Sequence, residues 1–247
     1  MINNANESII KQAFEQPQWY LKKTAYNIKI RVETVKQFVK DTRRESILDI
    51  GCGDGSLSLH LLNEKNRLTL LDRSKSMLEI ASSHIPEGLS HHVRILNEDF
   101  MTAQLDRLSF DLIICVGVLA YVENLRLFLG KIASVLTPGG TVIIECSDGN
   151  HFIRRAYRAY GALRRGLGTR DFQTVSRPSS EVLATFKELG FELCDGFRYS
   201  QPFPVIRKLL PQTMSYRAIR LVYGTAAQSR ADWLGSECLY HFKRIDN

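Results

Sequence analysis

The sequence lacks the features of a secreted, membrane-spanning or disulfide-stapled protein. Its five cysteines are scattered and show no C-x-x-C spacing, so neither a zinc site nor a disulfide framework is supported. No apolar run approaches the ~20 residues that cross a bilayer. The first residues have no basic segment followed by an apolar core, as a secretory signal would. We therefore predict a reduced, cytoplasmic setting.

The composition is that of a globular protein, but its charge is unevenly placed. The 247 residues, 44% hydrophobic and 24% charged, suffice for one large α/β domain with additions. The net charge is +7, and residues 150–235 hold 14 basic against 6 acidic residues. Most of these basic residues are arginines, which favour bidentate recognition of phosphate or carboxylate. An anion-binding function and a solubilising surface both fit this excess.

The strongest pattern lies in residues 47–59, where an apolar strand is followed by a turn with three alternate glycines. Glycine lets the backbone bend tightly and a ligand approach closely. The spacing Asp49-x-Gly51-x-Gly53-x-Gly55 is not G-x-G-x-x-G, and no Gly-Lys-Ser/Thr follows to hold a triphosphate. An acid at the start of the turn suits a cationic or hydroxyl-rich ligand better than a pyrophosphate.

These residues resemble motif I of the class I S-adenosylmethionine (SAM)-dependent methyltransferases. The resemblance implies SAM as cofactor and S-adenosylhomocysteine (SAH) as product. It implies the fold of that family, a Rossmann-like, doubly wound and mostly parallel sheet of seven strands. The cofactor-binding residues that it implies in this stretch are Asp49, Gly51, Cys52, Gly53 and Gly55.

Two later strands also end in carboxylates. Asp72 lies 17 residues after Gly55, near the distance at which an acid reaches the ribose hydroxyls of a bound nucleoside. A carboxylate can accept both hydroxyl protons at once. The family resemblance places Met77 under the adenine, Asp99 on the adenine amino group and the Phe100 amide beside it. The same predicted site includes Arg73 and Val116.

Strands and helices alternate along the chain. Five strand–helix units across 45–147 predict a parallel sheet with right-handed crossovers, and two final strands complete it. We expect Ser58–Asn63 to continue as a helix after the glycine turn, and the fifth strand to run from Thr141 to Cys146 after a Thr-Pro-Gly-Gly turn.

We divide the predicted α/β protein into a core and its additions. Residues 1–44 form an N-terminal helical cap, 45–148 the SAM-binding Rossmann-like core, and 149–178 a helical insertion. Residues 179–199 return to the core as a helix and a strand, 200–235 form a second insertion, and 236–247 give the final core strand.

The N-terminal cap carries aromatic and basic residues ahead of the first strand. In many small-molecule methyltransferases such a helix folds over the cofactor and places Tyr or Arg on its methionine carboxylate. By that resemblance Tyr20, Tyr26 and Arg31 are candidates, although plain packing of the helix on the sheet explains each of them as well.

The two insertions are predicted to form a helical lid over the active site. The first is a basic amphipathic helix in which Arg154, Arg155 and Arg158 are candidate substrate-binding residues. Such a helix can cover a site, dock a partner or contact an acidic membrane surface reversibly. Because it follows the fifth strand, it should lie at the carboxyl end of the sheet, where open α/β folds bind ligands.

The candidate catalytic residues are His151 and Tyr121. A hydroxyl acceptor must lose its proton, and His151 stands just after the fifth strand, where it can act as the base. Tyr121 occupies the position at which the family often has a histidine, and it could orient the acceptor. The segment Cys115–Gly117 offers no carboxylate, so no metal is predicted.

The leading hypothesis is a SAM-dependent methyltransferase that modifies an O or N atom of a small or medium-sized, anionic metabolite. The first alternative is an RNA or protein methyltransferase, although no nucleic-acid-binding module is visible. The second is a SAM-binding regulatory or assembly subunit without turnover. The sequence leaves the oligomeric state open.

Overall fold

The computed structural model describes residues 17–166, 175–202 and 210–245, and side chains in 25–162, 175–202 and 210–245. The main sheet has seven strands: β1 Ser46–Ile50, β2 Arg67–Leu71, β3 Val93–Leu96, β4 Phe110–Cys115, β5 Leu136–Ser147, β6 Phe191–Tyr199 and β9 Glu237–Arg244. Gly224–Thr225 and Gln228–Ser229 form a separate small hairpin, β7–β8.

The strand order is β3-β2-β1-β4-β5-β9-β6, and β9 alone runs against its neighbours in the main sheet. The central strands β1 and β4 are buried along almost their whole length, as a parallel sheet covered on both faces requires. The predicted doubly wound, mostly parallel seven-stranded sheet is therefore confirmed.

Helices cover both faces of the sheet. They are α1 Pro17–Phe38, α2 Lys75–Ser83, α3 Leu125–Val135, α4 Phe152–Gly166, α5 Ser179–Glu188 and α6 Gln212–Tyr223. The apolar residues of α1, α2 and α6 pack on one face, and those of α3 and α5 on the other. Within the described ranges, no helix is long and apolar enough to cross a membrane.

Two predicted local structures differ from the structure. The helix expected at Ser58–Asn63 is a single 3₁₀ turn, Leu59–Leu61, because Leu62 is already extended at ψ 135°. The two asparagines that follow then close a turn, since the Asn63 amide donates to Asn66 Oδ1 at 3.0 Å. Strand β5 begins at Leu136 rather than Thr141, and it pairs with β4 through an irregularity between Phe110 and Leu112.

The start of α3 offers a test of local stability. The side chain of Asn124 accepts a hydrogen bond from the Leu127 amide at 3.0 Å and so caps one of the helix's unpaired amides. Asn124→Ala should lower the free energy of unfolding by about 1 kcal/mol, measured by urea denaturation. Asn124→Ser, which can still cap, is the matched control, and an equal loss in both variants would contradict the capping role.

Candidate active site

The glycine turn joins β1 to the rest of the carboxyl edge of the sheet. Gly51, Gly53 and Gly55 have φ of +68°, +55° and +75°, a region that favours glycine. A Cβ atom at Gly51 would lie 2.4 Å from Val118 Cγ2, so the turn packs directly on the segment after β4. The amides of Gly51 and Cys52 both donate to the Leu71 carbonyl, which fixes the turn on β2.

Asp49 lies beneath this turn and is almost fully buried. Its Oδ2 accepts a hydrogen bond from Ser58 Oγ at 2.6 Å, while Oδ1 has no hydrogen-bond partner. Burial raises the pKa of Asp49 to about 7, and the hydrogen bond from Ser58 only partly opposes this. An unsatisfied carboxylate oxygen directly under a glycine turn can receive a donor from a ligand.

Asp72 is brought into direct contact with the turn. Its Oδ2 accepts from the Gly53 amide and its Oδ1 from the Ser74 amide, both at 2.8 Å. Burial raises the pKa of this carboxyl group. Each oxygen retains lone-pair capacity for a further donor, such as a ligand hydroxyl.

The other predicted cofactor residues surround this edge in different ways. The Arg73 guanidinium lies 3.6 Å from Asp99 Oδ2, and the Met101 amide donates to Asp99 Oδ1 at 2.7 Å. Met77, Phe100 and Val116 are buried, which agrees with apolar contacts but leaves their role a prediction.

Two of the N-terminal candidates, Tyr26 and Arg31, have partners within the protein. The Tyr26 ring is buried and its hydroxyl donates to Gln201 Oε1 at 3.4 Å. The Tyr20 side chain lies outside the described residues. Arg31 forms a two-pronged ion pair with Glu145 near the end of β5, with Nε 2.9 Å from Oε1. The sequence predicts the methionine carboxylate of the cofactor as the partner of Arg31, whereas in the structure its guanidinium is bound by the carboxylate of Glu145.

Sequence reasoning missed Glu145, which is only 4% exposed. Its one signal was a charged residue inside the apolar run Ile143-Ile144-Glu145-Cys146. Sequence reasoning also missed Glu237, because only the pairing of the strands brings it near Glu145. Glu237 accepts from Ser147 Oγ at 2.6 Å, and burial raises its pKa.

Both ring nitrogens of His151 have partners in the backbone. Its Nδ1 accepts a hydrogen bond from the Ile153 amide at 3.3 Å, and its Nε2 lies 2.9 Å from the Trp233 carbonyl oxygen. These contacts tie the start of α4 to the segment before β9, and the role of His151 as a base stays a prediction.

Tyr121 lies in a 3₁₀ turn, Leu119–Tyr121, directly after β4. This segment is held by Arg177, whose buried guanidinium donates to the carbonyls of Leu119, Val122 and Glu123. Arg177 thus fixes the 3₁₀ turn, and Val118 directly before it packs on Gly51 of the glycine turn. Arg177 was not among the predicted site residues, because its contacts join segments more than 50 residues apart.

The three predicted substrate arginines have different surroundings. Arg154 Nη1 lies 3.3 Å from Glu237 Oε1, so a buried carboxylate neutralises its charge. Arg158 donates to Ser176 Oγ at 3.0 Å, and Arg155 is exposed. These contacts place α4 at the carboxyl end of the sheet, at the start of β9. Among the residues described, no group of three or more His, Cys, Asp or Glu could hold a metal ion.

The sheet order with one reversed strand, the glycine turn above a buried acid, and the acids after β2 and β3 define a class I SAM-dependent methyltransferase fold. Comparison with known proteins agrees. Residues 47–140 match a family described as a methyltransferase domain. This part of the chain is therefore similar to a methyltransferase domain, and the fold of the chain is that of the class I SAM-dependent methyltransferases.

Curated relatives share the same core. An uncharacterized methyltransferase of Mycobacterium tuberculosis is 28% identical over 119 residues, 48% of this chain and 59% of that protein. A ubiquinone biosynthesis O-methyltransferase of Rickettsia felis is 30% identical over 129 residues, 52% of this chain and 50% of that protein. The matched region thus spans little more than half the length of these relatives.

A solved structure shows the same fold over nearly the whole chain. It is the magnesium protoporphyrin IX methyltransferase of Synechocystis with bound SAH, with a TM-score of 0.65 and 14% identity. The match covers 97% of this chain and 99% of that one. At this identity the likeness concerns the fold, and the acceptor has to be inferred from this chain's own residues.

Proposed function

We propose that this protein is an enzyme that transfers a methyl group from SAM to an O or N atom of a small or medium-sized, anionic metabolite. The observation that carries the proposal is the contact between Asp72 and the Gly53 amide, which joins the two predicted cofactor elements at one edge. The unpartnered Asp49 Oδ1 beneath the turn adds an acceptor for a ligand donor.

The residues present fit SAM by their chemistry. SAM supplies an electrophilic methyl group on a sulfonium, so the protein's main tasks are to orient the acceptor and to exclude water. Asp72 and Asp99 are the acids proposed to receive the ribose hydroxyls and the adenine amino group. The glycines of the turn leave room for the backbone to approach the ligand closely.

The anionic character of the acceptor is supported by the excess of arginine in residues 150–235. Arg154 contributes little to this argument, because Glu237 already neutralises it. Arg155 and Arg158 are the arginines of α4 best able to receive an anionic group, since Arg155 is exposed and Arg158 contacts only a hydroxyl among the bonds described.

The test is methyl transfer from labelled SAM to 3,4-dihydroxybenzoate, a small acceptor with hydroxyl groups and one carboxylate. The double variant Arg155→Gln/Arg158→Gln should raise the KM for this acceptor roughly five- to tenfold, in line with the loss of one or two exposed charge-assisted contacts. The Kd for SAH should stay unchanged.

Arg217→Gln, which removes an exposed arginine from α6, is the matched control and should leave the KM unchanged. Arg154 is excluded from the variant because its loss would leave Glu237 buried without its cation. An unchanged KM in the double variant would overturn the anionic part of the proposal. A protein that does not bind SAM would overturn the whole proposal.

A further inference from the structure

A buried ion pair lies between the cap helix and the predicted cofactor site. Arg31 of α1 and Glu145 of β5 have side chains that are 14% and 4% exposed. Burying two charges costs several kcal/mol of desolvation per ion, and an apolar pair of similar volume is often as stable. Stability alone therefore does not explain why these two charges are buried.

The segment after β4 links the pair to the glycine turn. Gly51 packs on Val118, and the residue before Val118 is Gly117, with φ +81°. A Cβ atom at Gly117 would lie 3.8 Å from the Arg31 guanidinium and 4.0 Å from Glu145 Oε2. The segment Gly117–Val118 therefore contacts the predicted cofactor turn through Val118 and lies close to the ion pair at Gly117.

Glu145 retains capacity for one more donor. Arg31 donates to both of its oxygens, which holds the carboxylate in one orientation. The Tyr199 hydroxyl lies 3.5 Å from Oε1, but its single proton forms the shorter bond to Asn27 Oδ1 at 2.6 Å. A lone pair of Oε1 is therefore left for another hydroxyl.

The neighbouring carboxylates are less suited to this role. Glu237 lies on the same face of the sheet, because its register partners are Ser147 and Tyr199. Its oxygens accept one hydrogen bond each, from Ser147 and from a single nitrogen of Arg154, so no two-pronged contact holds this carboxylate in one orientation. Glu33 also has an arginine and a tyrosine as donors, Arg220 and Tyr216, but its side chain is 38% exposed and it faces α6.

We propose that Glu145 is the catalytic base for a hydroxyl-bearing acceptor and that Arg31 positions its carboxylate. The proposal deepens the proposed function and rests on it. The acceptor hydroxyl donates to Glu145 Oε1, and its proton passes to this carboxylate. The acceptor oxygen forms the new bond to the methyl carbon, and the electron pair of the broken carbon–sulfur bond remains on sulfur, which gives SAH. The proton leaves to solvent when the product is released.

The test compares Glu145→Gln with Glu33→Gln, a matched control that also removes a glutamate from an Arg–Glu–Tyr cluster. Three quantities are measured: the Kd for SAH, the Kd of 3,4-dihydroxybenzoate for the SAH-saturated protein, and kcat with SAM and this acceptor. Glutamine can still accept a hydrogen bond, but it cannot take a proton at neutral pH. Glu145→Gln should lower kcat at least tenfold, keep the SAH affinity within twofold and weaken acceptor binding only severalfold. Glu33→Gln should change none of them more than twofold.

Several outcomes would overturn the proposal. One is an unchanged kcat in Glu145→Gln, and another is a loss of SAH affinity in parallel with kcat, which would assign Glu145 to the cofactor site. Transfer to histamine, an amine probe, without any transfer to 3,4-dihydroxybenzoate would exclude the hydroxyl class, as would transfer to neither. If Glu145→Gln does not fold, Glu145→Asp retains the charge at a shorter reach, and wild-type kcat in that variant would count against the role. Failure of the wild-type protein to bind SAH would instead contradict the proposed function.

Discussion

Replacing Asp72 by asparagine is expected to raise the Kd for SAM about 100-fold. The carboxylate is proposed to accept two ribose hydroxyls, and hydrogen bonds to a charged group contribute about 1.5–3 kcal/mol each. Asparagine keeps one acceptor oxygen but loses the charge, so a loss of about 3 kcal/mol is expected, which is roughly 100-fold in Kd. Isothermal titration calorimetry with SAM and with SAH measures it directly.

The variant also changes a local contact. Asparagine can accept from only one of the Gly53 and Ser74 amides, whose bonds to Asp72 are 2.8 Å long, so the free energy of unfolding of the variant is measured beside its Kd to show that the turn is kept. Asp106→Asn, at an exposed carboxylate away from the turn, is the control and should leave the Kd unchanged. Wild-type affinity in Asp72→Asn would contradict the assignment of this residue to the cofactor.

The features that the sequence predicted correctly are those determined by local pattern. Continuous apolar runs such as Phe110–Cys115 belong to strands covered on both faces, and the structure has them as central strands of a parallel sheet. The acids Asp49 and Asp72 fall at strand ends in sequence, and the parallel arrangement then places them at one edge. The contact of Asp72 with Gly53 follows from that arrangement.

Features that depend on distant contacts were not predictable. Arg31 and Glu145 are 114 residues apart, and nothing in either segment indicates that they pair. The apolar residues of Ser58–Asn63 fit a helical period, yet the chain makes only a 3₁₀ turn here. The buried leucines of this turn pack on the sheet, and a hydrogen bond between Asn63 and Asn66 closes the next turn. Periodicity does not resolve such short segments.

His151 shows the same limit for a catalytic residue. Its position after β5 made it the best placed candidate by sequence, and α4 does begin there. The hydrogen bond from the Ile153 amide and the contact with the Trp233 carbonyl occupy both ring nitrogens. Since Trp233 is 82 residues away, the sequence could not reveal this contact.

Asp49 combines a stability cost with a proposed function. Burial raises its pKa from 3.8 to about 7. Between about pH 4 and pH 7 the folded protein therefore keeps a proton on this carboxyl group, whereas the unfolded chain has already lost it. The folded state binds more protons in this window, and its stability therefore falls as pH rises through it. A shift of this size corresponds to a cost of the order of 4 kcal/mol above pH 7.

Asp49→Asn should therefore stabilise the protein at pH 8 and have little effect at pH 4, because asparagine cannot ionise and can still accept from Ser58. Urea denaturation at both pH values should show a gain of a few kcal/mol at pH 8. The same variant should bind SAM more weakly, since an NH2 donor replaces the free acceptor oxygen Oδ1 under the glycine turn. Asp106→Asn should show neither change. A variant that is less stable than the wild type at pH 8 would contradict the raised pKa, whereas a gain in stability with unchanged SAM affinity would separate Asp49 from the cofactor site.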